Sequence, residues 1–337
     1  MPLLEIEDFK VYYRSIDGIS QAVDGISFSL EEGQSLGLVG ESGCGKTTAV
    51  RGIIRIMDKN AFIAGGKVFF NGEDLIGFSE ERMRNIRWKD LSLIPQAAMD
   101  SLNPVYPVIN AFNEILLLKG GMNLNSAEKR AKELFLMVSL DPKRLYHYPH
   151  EFSGGMKQRA VIALALALKP KLIIADEPVT ALDVIVQNQV LMVFKNLREK
   201  LKVALIMITH DISVVAQTCN VIAVMYAGKI IEKGTSVDIL KHAAHPYTLG
   251  LENAFPNLRN PNKSLIAIKG SPPNLVNPPK GCRFASRCPF KIKKCLQKEP
   301  FLKEVNNGHY SACFRLNEIE KIRKKSREVE TWTTVKS

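Results

Sequence analysis

The sequence lacks a long apolar run and a recognisable leader. Its longest uncharged apolar run near the middle, AVIALALAL at 160–168, has nine residues, whereas a membrane-spanning helix needs about twenty. The first ten residues, MPLLEIEDFK, contain no basic region followed by an apolar stretch, so the sequence predicts no signal peptide. We therefore expect a cytoplasmic protein unless another subunit carries it to a membrane.

Cysteine is scarce, with six residues in 337, yet four of them fall close together near the end. Their spacing is C-x5-C-x6-C-x17-C, at Cys282, Cys288, Cys295 and Cys313. A cytoplasmic location argues against structural disulfides, which leaves free buried thiols or a metal site. Four thiolates suit both zinc and an iron–sulfur cluster. Zinc sites usually pair cysteines roughly two to four residues apart, so this wider spacing favours a cluster. Cys219, beside an apolar strand, is predicted to be core.

Acidic residues are in deficit only in the last quarter of the chain. Residues 256–337 hold 18 Lys and Arg against 6 Asp and Glu, which accounts for the whole net charge of +12. A basic surface is typical of proteins that contact nucleic acid, anionic lipid or an acidic partner. A solvated basic segment is the plain alternative.

The pattern of apolar residues predicts alternating strands and helices. Strands are predicted near 3–13, 26–30, 35–39, 91–95, 172–176, 203–208 and 221–226. Helical periodicity begins near Lys46 and recurs at 126–140, 154–168 and 184–201. This alternation is typical of an α/β domain with a largely parallel sheet. From 256 the chain is rich in Pro, Asn and Gly, which indicates an extended linker and a domain boundary.

The stretch GESGCGKT, residues 40–47, fits the phosphate-binding pattern G-x-x-x-x-G-K-[ST] between a predicted strand and a predicted helix. Glycines let backbone N–H groups turn towards phosphate oxygens, and the helix N-terminus adds partial positive charge. Lys46 is expected to reach the β- and γ-phosphates, and the Thr47 hydroxyl to bind Mg²⁺. Cys44, inside the loop, is interpreted as a small filler rather than a reactive thiol.

A second acidic motif, LIIADE at 172–177, is an apolar strand that ends in two carboxylates. Asp176 is expected to hold Mg²⁺ through water, and Glu177 to polarise an attacking water molecule. A solvated carboxylate at a strand end is the alternative for Glu177. The phosphate loop upstream favours the catalytic role.

Between these motifs lies EFSGGMKQR, 151–159, and here the sequence resembles the ATP-binding cassette (ABC) ATPases, whose signature is a Ser-Gly-Gly turn that opens a helix. Phe152 and Met156 depart from the commonest form of that signature without changing Ser153 or the glycines. The resemblance implies that Gln96 contacts Mg²⁺ and senses the transporter, and that His210 contacts the γ-phosphate. Thr180 to Asp183 resembles the D-loop.

The resemblance also implies the set of residues that contact the nucleotide. Tyr13 is the expected aromatic that stacks on adenine, with Tyr12 as its rival. The predicted nucleotide-binding residues are Tyr13, Gly40, Ser42, Gly43, Cys44, Gly45, Lys46, Thr47, Thr48, Gln96, Ser153, Gly154, Gly155, Asp176 and Asp183. The predicted catalytic residues are Lys46, Gln96, Glu177 and His210, and the predicted Mg²⁺ ligands are Thr47, Gln96 and Asp176.

The fold that the resemblance implies is the α/β ABC ATPase fold in residues 1–255. It has a RecA-like core, an antiparallel β subdomain at the front, and a helical subdomain at about 97–168 that carries the signature. We expect a small, loop-rich C-terminal cysteine module at 256–317 and a charged tail at 318–337 that forms a fraying helix or an irregular tail. Two such nucleotide-binding domains sandwich two nucleotides, so one chain alone is expected to hydrolyse ATP poorly.

Three classes of ABC ATPase compete: transporter subunits, soluble translation or ribosome-associated ATPases, and DNA-repair or chromosome-organising ATPases. The single cassette disfavours the second class. The roughly 125 residues between Thr47 and Leu172 leave no room for the coiled coil of the third. HPYT at 245–248, KGSPPNL at 269–275, PVTALDV at 178–184 and the C-terminal cysteines resemble dipeptide and oligopeptide importer ATPases, some of which serve nickel or other solutes.

That resemblance implies ATP, Mg²⁺ and a [4Fe–4S] cluster as cofactors, with Zn²⁺ as the alternative at the cysteines. It implies a second, related but different ATPase chain, two membrane permease subunits, and an extracellular solute-binding protein that acts indirectly. The protein would then lie peripherally at the cytoplasmic face of the membrane, and no nucleic acid is expected. The alternative is a soluble ABC ATPase whose iron–sulfur or zinc module acts on nucleic acid or the ribosome.

Overall fold

The first of two sheets is antiparallel and is built from the N-terminal part of the chain. The computed structural model describes residues 1–180, 182–254 and 266–333. Strands β1 (Leu4–Ser15), β2 (Gly18–Leu30), β4 (Ala61–Phe70) and β5 (Glu73–Asp74) pair in the order β2-β1-β4-β5. Leu4, Ile6, Phe9 and Val11 are all buried on one side of β1. The predicted first two strands are present, whereas β4 and β5 were not predicted.

The second sheet has the order β11-β12-β10-β9-β3-β8-β7-β6 among the described residues. Its parallel part consists of β6 (Leu91–Ile94), β7 (Leu172–Asp176), β8 (Ala204–Thr209), β3 (Ser35–Val39) and β9 (Val221–Tyr226). These strands are short apolar runs because helices cover both faces of a parallel sheet. Neighbouring parallel strands end at the same edge, so the segments after β3, β7 and β8 meet there.

Helices flank this sheet. Among the described residues they are α1 (Lys46–Ile53), α2 (Glu80–Ile86), α3 (Val108–Leu118), α4 (Leu124–Met137), α5 (Gly154–Ala165), α6 (Val184–Leu201), α7 (Ile212–Thr218), α8 (Ser236–Lys241), α9 (Pro246–Ala254), α10 (Lys293–Gln297), α11 (Ile319–Lys325) and α12 (Val329–Thr333). Helices α3 to α5 form a layer in which the rings of Phe112 and Phe135 meet edge to face at 5.5 Å. Within the described ranges, no helix has the length and apolarity to cross a membrane.

The C-terminal part of the chain extends the core sheet. Strands β11 (Lys303–Asn306) and β12 (His309–Ser311) form a hairpin, and β12 pairs with β10 (Lys229–Thr235). A buried cluster stabilises the contact between β10 and β12. In this cluster, Glu232 accepts hydrogen bonds from the N–H groups of Ala244 and His245 and contacts His309 at 2.8 Å. The predicted domain boundary between 255 and 256 falls within 255–265, which lies outside the described residues.

The charged segment from 318, for which a fraying helix or tail was predicted, is helical and packed against the core as far as residue 333. Helix α11 buries Ile319 and Ile322, and α12 buries Trp332. The Trp332 ring meets Phe290 edge to face, and its Nε1 donates to the Ser326 carbonyl (2.8 Å). The segment is rich in charged residues, which is typical of a solvated segment. Its few apolar residues at helical spacing nevertheless bury enough area to anchor both helices.

Trp332→Ala should lower the free energy of unfolding by about 3 kcal/mol or more, because it removes a large side chain that is 2% exposed. The matched control is Lys324→Ala on α11, an exposed position where about 0.5 kcal/mol or less is expected. Urea unfolding of the full chain measures both. Equal stability of the two variants would mean that the C-terminal helices do not pack as described.

Candidate functional site

The phosphate-loop sequence lies between β3 and α1. A Cβ on Gly40 would lie 2.1 Å from the Met225 carbonyl oxygen, and one on Gly45 would lie 2.2 Å from that of Ala22. Gly45 also has φ 105°, a left-handed conformation that favours glycine. A side chain at either position would clash with a neighbouring backbone carbonyl, so this close approach requires glycine in addition to the shape of the loop.

Lys46 lies inside this loop and is 5% exposed. Its Nζ donates to the carbonyl oxygens of Gly40 (2.8 Å) and Glu41 (3.0 Å), and it lies 3.7 Å from Cys44 Sγ. Cys44 is buried, and this burial raises the pKa of its thiol. The ammonium group is thus held against the phosphate-loop backbone by two carbonyl oxygens of the loop.

The predicted Mg²⁺ residues Thr47 and Asp176 are in contact. The Thr47 hydroxyl donates to Asp176 Oδ1 (3.0 Å), which joins the first turn of α1 to the end of β7. Burial raises the pKa of Asp176, and the neighbouring Glu177 raises it further, while the hydrogen bond from Thr47 opposes the shift. A cation bound here would relieve that cost of burying a carboxylate.

Glu177 is the point at which the other predicted catalytic residues converge. Its backbone has φ 47°, an uncommon conformation for a residue with a side chain, and its N–H bonds to the Ile208 carbonyl (2.9 Å). The carboxylate accepts from Thr180 Oγ1 (2.9 Å) and lies 3.4 Å from both Gln96 Nε2 and His210 Nδ1. Three separate segments therefore meet at one carboxylate.

The two adjacent tyrosines of β1 have different partners. The Tyr13 hydroxyl lies 3.2 Å from Thr48 Oγ1, which puts Tyr13 beside the start of α1. The Tyr12 hydroxyl donates to Asp24 (2.8 Å), and burial raises the pKa of Tyr12 to about 12. Of the two tyrosines, Tyr13 is therefore the one that contacts the helix following the phosphate loop.

The signature residues form a separate site at the start of α5. Ser153 caps that helix by accepting the Met156 N–H (3.4 Å). A Cβ on Gly155 would lie 2.2 Å from Val186 Cγ1. The described residues contain no hydrogen bond between Ser153 and the phosphate loop of the same chain. Asp183 caps α6 by accepting the N–H of Val186 (2.9 Å), and Ala181 of the D-loop lies outside the described residues.

All four C-terminal cysteines line one small cavity of about 20 Å³, whose walls include Phe284 and Phe290. Burial raises the pKa of Cys282 to about 12 and of Cys313 to about 11, and it also raises that of Cys288. Within the described parts of the chain, no three His, Cys, Asp or Glu side chains are grouped so as to hold a metal ion. The thiols thus share a cavity without forming a metal-binding group. Cys219 is buried in the core, as predicted.

Comparison with known proteins decides the family. A family model described as "ABC transporter" matches residues 23–180, and one described as "Oligopeptide/dipeptide transporter, C-terminal region" matches 231–295. The chain is 42% identical over 321 residues to a probable peptide ABC transporter ATP-binding protein y4tR of Sinorhizobium fredii, covering 94% of this chain and 96% of that one. It is 41% identical over 315 residues to the oligopeptide transport ATP-binding protein OppD of Escherichia coli, covering 93% of both chains.

This chain belongs to the ATP-binding proteins of ABC transporters. A dimeric, post-hydrolysis structure of the ATP-binding cassette MJ0796 with ADP and Pi aligns with it at TM-score 0.62 and 25% identity, covering 69% of this chain and 98% of that one. The predicted ABC ATPase α/β fold and the predicted family are confirmed.

Sequence reasoning gave no site role to two arginines that connect the cysteine segment of this ABC protein to its cassette. Arg283 donates to the Ala227 carbonyl and to Asp24. Arg287 donates to Glu41 Oε2 in the phosphate loop (2.8 Å). Both arginines directly follow or precede a cysteine and are about 6% exposed or less. An arginine next to a cysteine in an apolar segment was the available signal, but its partner lies far away in sequence.

Proposed function

We propose that the chain binds and hydrolyses Mg–ATP to power uptake of dipeptides or oligopeptides across the cytoplasmic membrane. The observation that supports ATP hydrolysis most directly is the meeting of Gln96, Thr180 and His210 at the Glu177 carboxylate, next to the Thr47–Asp176 pair. The match of the C-terminal region at 231–295 supports the peptide substrate. The same match disfavours the alternative of a soluble ABC ATPase that acts on nucleic acid or the ribosome.

The proposed chemistry follows from this geometry. The loop amides and Lys46 bind the phosphates, and Tyr13 stacks on adenine. Thr47, Gln96 and Asp176 would hold Mg²⁺, because hydroxyl, amide and carboxylate oxygens are the ligands that it prefers. The ion would supply positive charge against the phosphates. Glu177 orients and polarises the attacking water, while His210 and Lys46 stabilise the charge that develops on the γ-phosphate.

The signature is proposed to act on a second ATPase chain. Ser153, Gly154 and Gly155 present a helix N-terminus at α5, and such ends favour phosphate. Since Ser153 makes no hydrogen bond to the phosphate loop within the described residues, we infer that it completes the phosphate loop of a partner. That partner is proposed to be a related but different chain, and Asp183 is proposed to act at the same junction.

Two membrane permease subunits are the remaining proposed partners, with an extracellular solute-binding protein acting indirectly. A cavity of about 580 Å³ lies between β6 and the helical layer, lined by Trp88, Pro95, Ala111 and Leu118 among others. Its lining residue Pro95 directly precedes Gln96 in the chain, so a permease segment seated there would be close to the residue that contacts Glu177. The chain would then lie peripherally at the cytoplasmic face of the membrane.

We further propose a [4Fe–4S] cluster at Cys282, Cys288, Cys295 and Cys313, with Zn²⁺ as the alternative. What supports this proposal is donor chemistry alone, since four thiols and no carboxylate line one cavity and thiolates are the usual ligands of such clusters; the thiols would have to shift from their present positions to form the site. When bound, such a cluster would link distant segments of a region with little core of its own. We propose the corresponding division into 1–255 and 256–317, with the boundary outside the described residues.

The transport proposal is tested by reconstitution with the two permease subunits, the second ATPase chain and the cognate binding protein in vesicles. Peptide-loaded binding protein should stimulate ATP hydrolysis at least several-fold and drive peptide accumulation. Binding protein loaded with nickel is the control and should do neither. Stimulation by nickel alone would replace the peptide assignment while leaving the ATPase assignment intact.

A further inference from the structure

Glu41, the second residue of the phosphate loop, is held by three different partners. Its N–H donates to the Tyr247 hydroxyl (2.9 Å), its carbonyl accepts from Lys46 Nζ (3.0 Å), and its carboxylate accepts from Arg287 (2.8 Å). Two of these partners come from the region that matches the peptide-transporter C-terminal family rather than from the part that matches the ABC family. The C-terminal region therefore contacts the loop that binds phosphate.

Arg287 is itself firmly positioned. Its Nε donates to the Lys269 carbonyl (3.0 Å), its Nη2 to the Ile268 carbonyl (3.1 Å), and its Nη1 reaches the Tyr226 hydroxyl at 3.3 Å. The guanidinium group also lies over the Tyr226 ring at 5.7 Å from its centroid. These contacts hold the guanidinium group beside Glu41 from several directions.

The charge of Glu41 explains why such an arrangement would be useful. A carboxylate in a phosphate loop repels the polyanionic nucleotide that the loop must bind, and the repulsion is stronger in a partly buried site than in water. Glu41 is partly buried, with 27% of its side chain exposed, so solvent screens its charge incompletely. A fixed cation at 2.8 Å cancels most of that field.

We propose that Arg287 is a positioning residue for ATP binding: it neutralises Glu41 and, together with Tyr247, holds the first half of the phosphate loop in its binding shape. The C-terminal region thus sets nucleotide affinity as well as extending the fold. This inference rests on the proposed ATP site and adds a residue from outside the cassette motifs to it.

The test measures KM for ATP and kcat in the assembled transporter and the Kd of Mg–ATP for the full chain by calorimetry. Arg287→Met, which keeps an unbranched apolar stem but removes the guanidinium group and its charge, should raise KM and Kd about tenfold, equivalent to about 1.4 kcal/mol, with kcat changed less than twofold. Arg287→Lys should fall between wild type and Arg287→Met, because it keeps the charge but cannot make the hydrogen bonds of the guanidinium group to Lys269 and Ile268.

The decisive variant is the double mutant. Glu41→Gln in the Arg287→Met background should recover most of the lost affinity, since it removes the uncompensated carboxylate. The matched control is Arg323→Met, another arginine of the C-terminal region, which donates to the Ala243 carbonyl (2.9 Å) and does not contact the phosphate loop. Its KM should equal that of wild type.

Three outcomes would overturn the proposal: an unchanged KM in Arg287→Met, no recovery in the double mutant, or an equal rise in KM in Arg323→Met. If Arg287→Met melts well below wild type, Arg287→Gln, which keeps polar contacts, is measured by the same criteria. Wild-type chain that fails to bind ATP would instead count against the proposed function, so the two failures are distinguishable.

Discussion

Glu177→Gln should reduce ATP turnover at least about a hundredfold while ATP binding survives, since positioned acid–base groups contribute roughly 10²–10⁴-fold. Glutamine has nearly the same shape and can still accept the hydrogen bond that Thr180 donates to Oε2. It cannot take up the developing proton of an attacking water. The strained backbone at φ 47° and the bond to Ile208 do not depend on the carboxylate, so the fold should persist.

The measurement is phosphate release by the assembled transporter, with Kd of Mg–ATP for the full-length variant measured alongside. Glu133→Gln is a suitable control because Glu133 lies on α4 and pairs only with Arg130 (3.6 Å) among the contacts described. The control should hydrolyse ATP at the wild-type rate. Wild-type turnover by Glu177→Gln in the presence of its coupling partners would refute the assignment of Glu177.

Anaerobically purified wild-type chain should carry about four iron and four acid-labile sulfide per chain, as a [4Fe–4S] cluster requires. Cys288→Ser should lose nearly all of both, because removal of one of the four thiols that line the cavity opens a coordination position. The same variant should melt at a lower temperature than wild type, because the link between 281–295 and 313 is lost. Metal analysis, an absorbance spectrum and thermal unfolding measure these effects.

Cys219→Ala provides the matched control for this cysteine replacement. Cys219 is as buried as the cavity cysteines but lies beside α7 in the main core, away from the cavity, so its variant should retain iron and sulfide. Zinc alone in the wild-type chain would keep the structural link and remove the cluster. Neither metal in anaerobically handled protein would leave the four thiols as buried packing groups.

Local signals predicted the elements that matter most for ATP. Strand β3 was predicted at 35–39 and lies at Ser35–Val39, and the helix predicted from Lys46 begins there. Such segments are predictable because a phosphate loop requires particular residues. It needs a fully apolar strand that is followed by glycine, and it needs a lysine at the start of the next helix. The acidic end of β7 was recognisable for the same reason.

Strands β10 to β12 and the packed C-terminal helices were not predicted. The β12 segment is three residues long and becomes a strand because it pairs with β11 on one side and with the edge of β10 on the other. Likewise, 318–333 has the composition of a solvated segment, and the burial of Trp332 against Phe290 decides otherwise. Short or charged segments carry too little local signal to outweigh the partner that they meet.

The sequence by itself determined the phosphate loop, the acidic strand end, the family and the clustering of four cysteines. Each of these depends on short motifs whose residues lie near one another in the chain. Only the tertiary structure decided that Tyr13 rather than Tyr12 lies beside Thr48, and that Arg287 reaches Glu41 across 246 positions. The contact of Tyr13 with Thr48 and this long-range ion pair depend on how the sheets and the C-terminal region pack. The spacing of residues in the sequence does not show which distant residues the fold brings into contact.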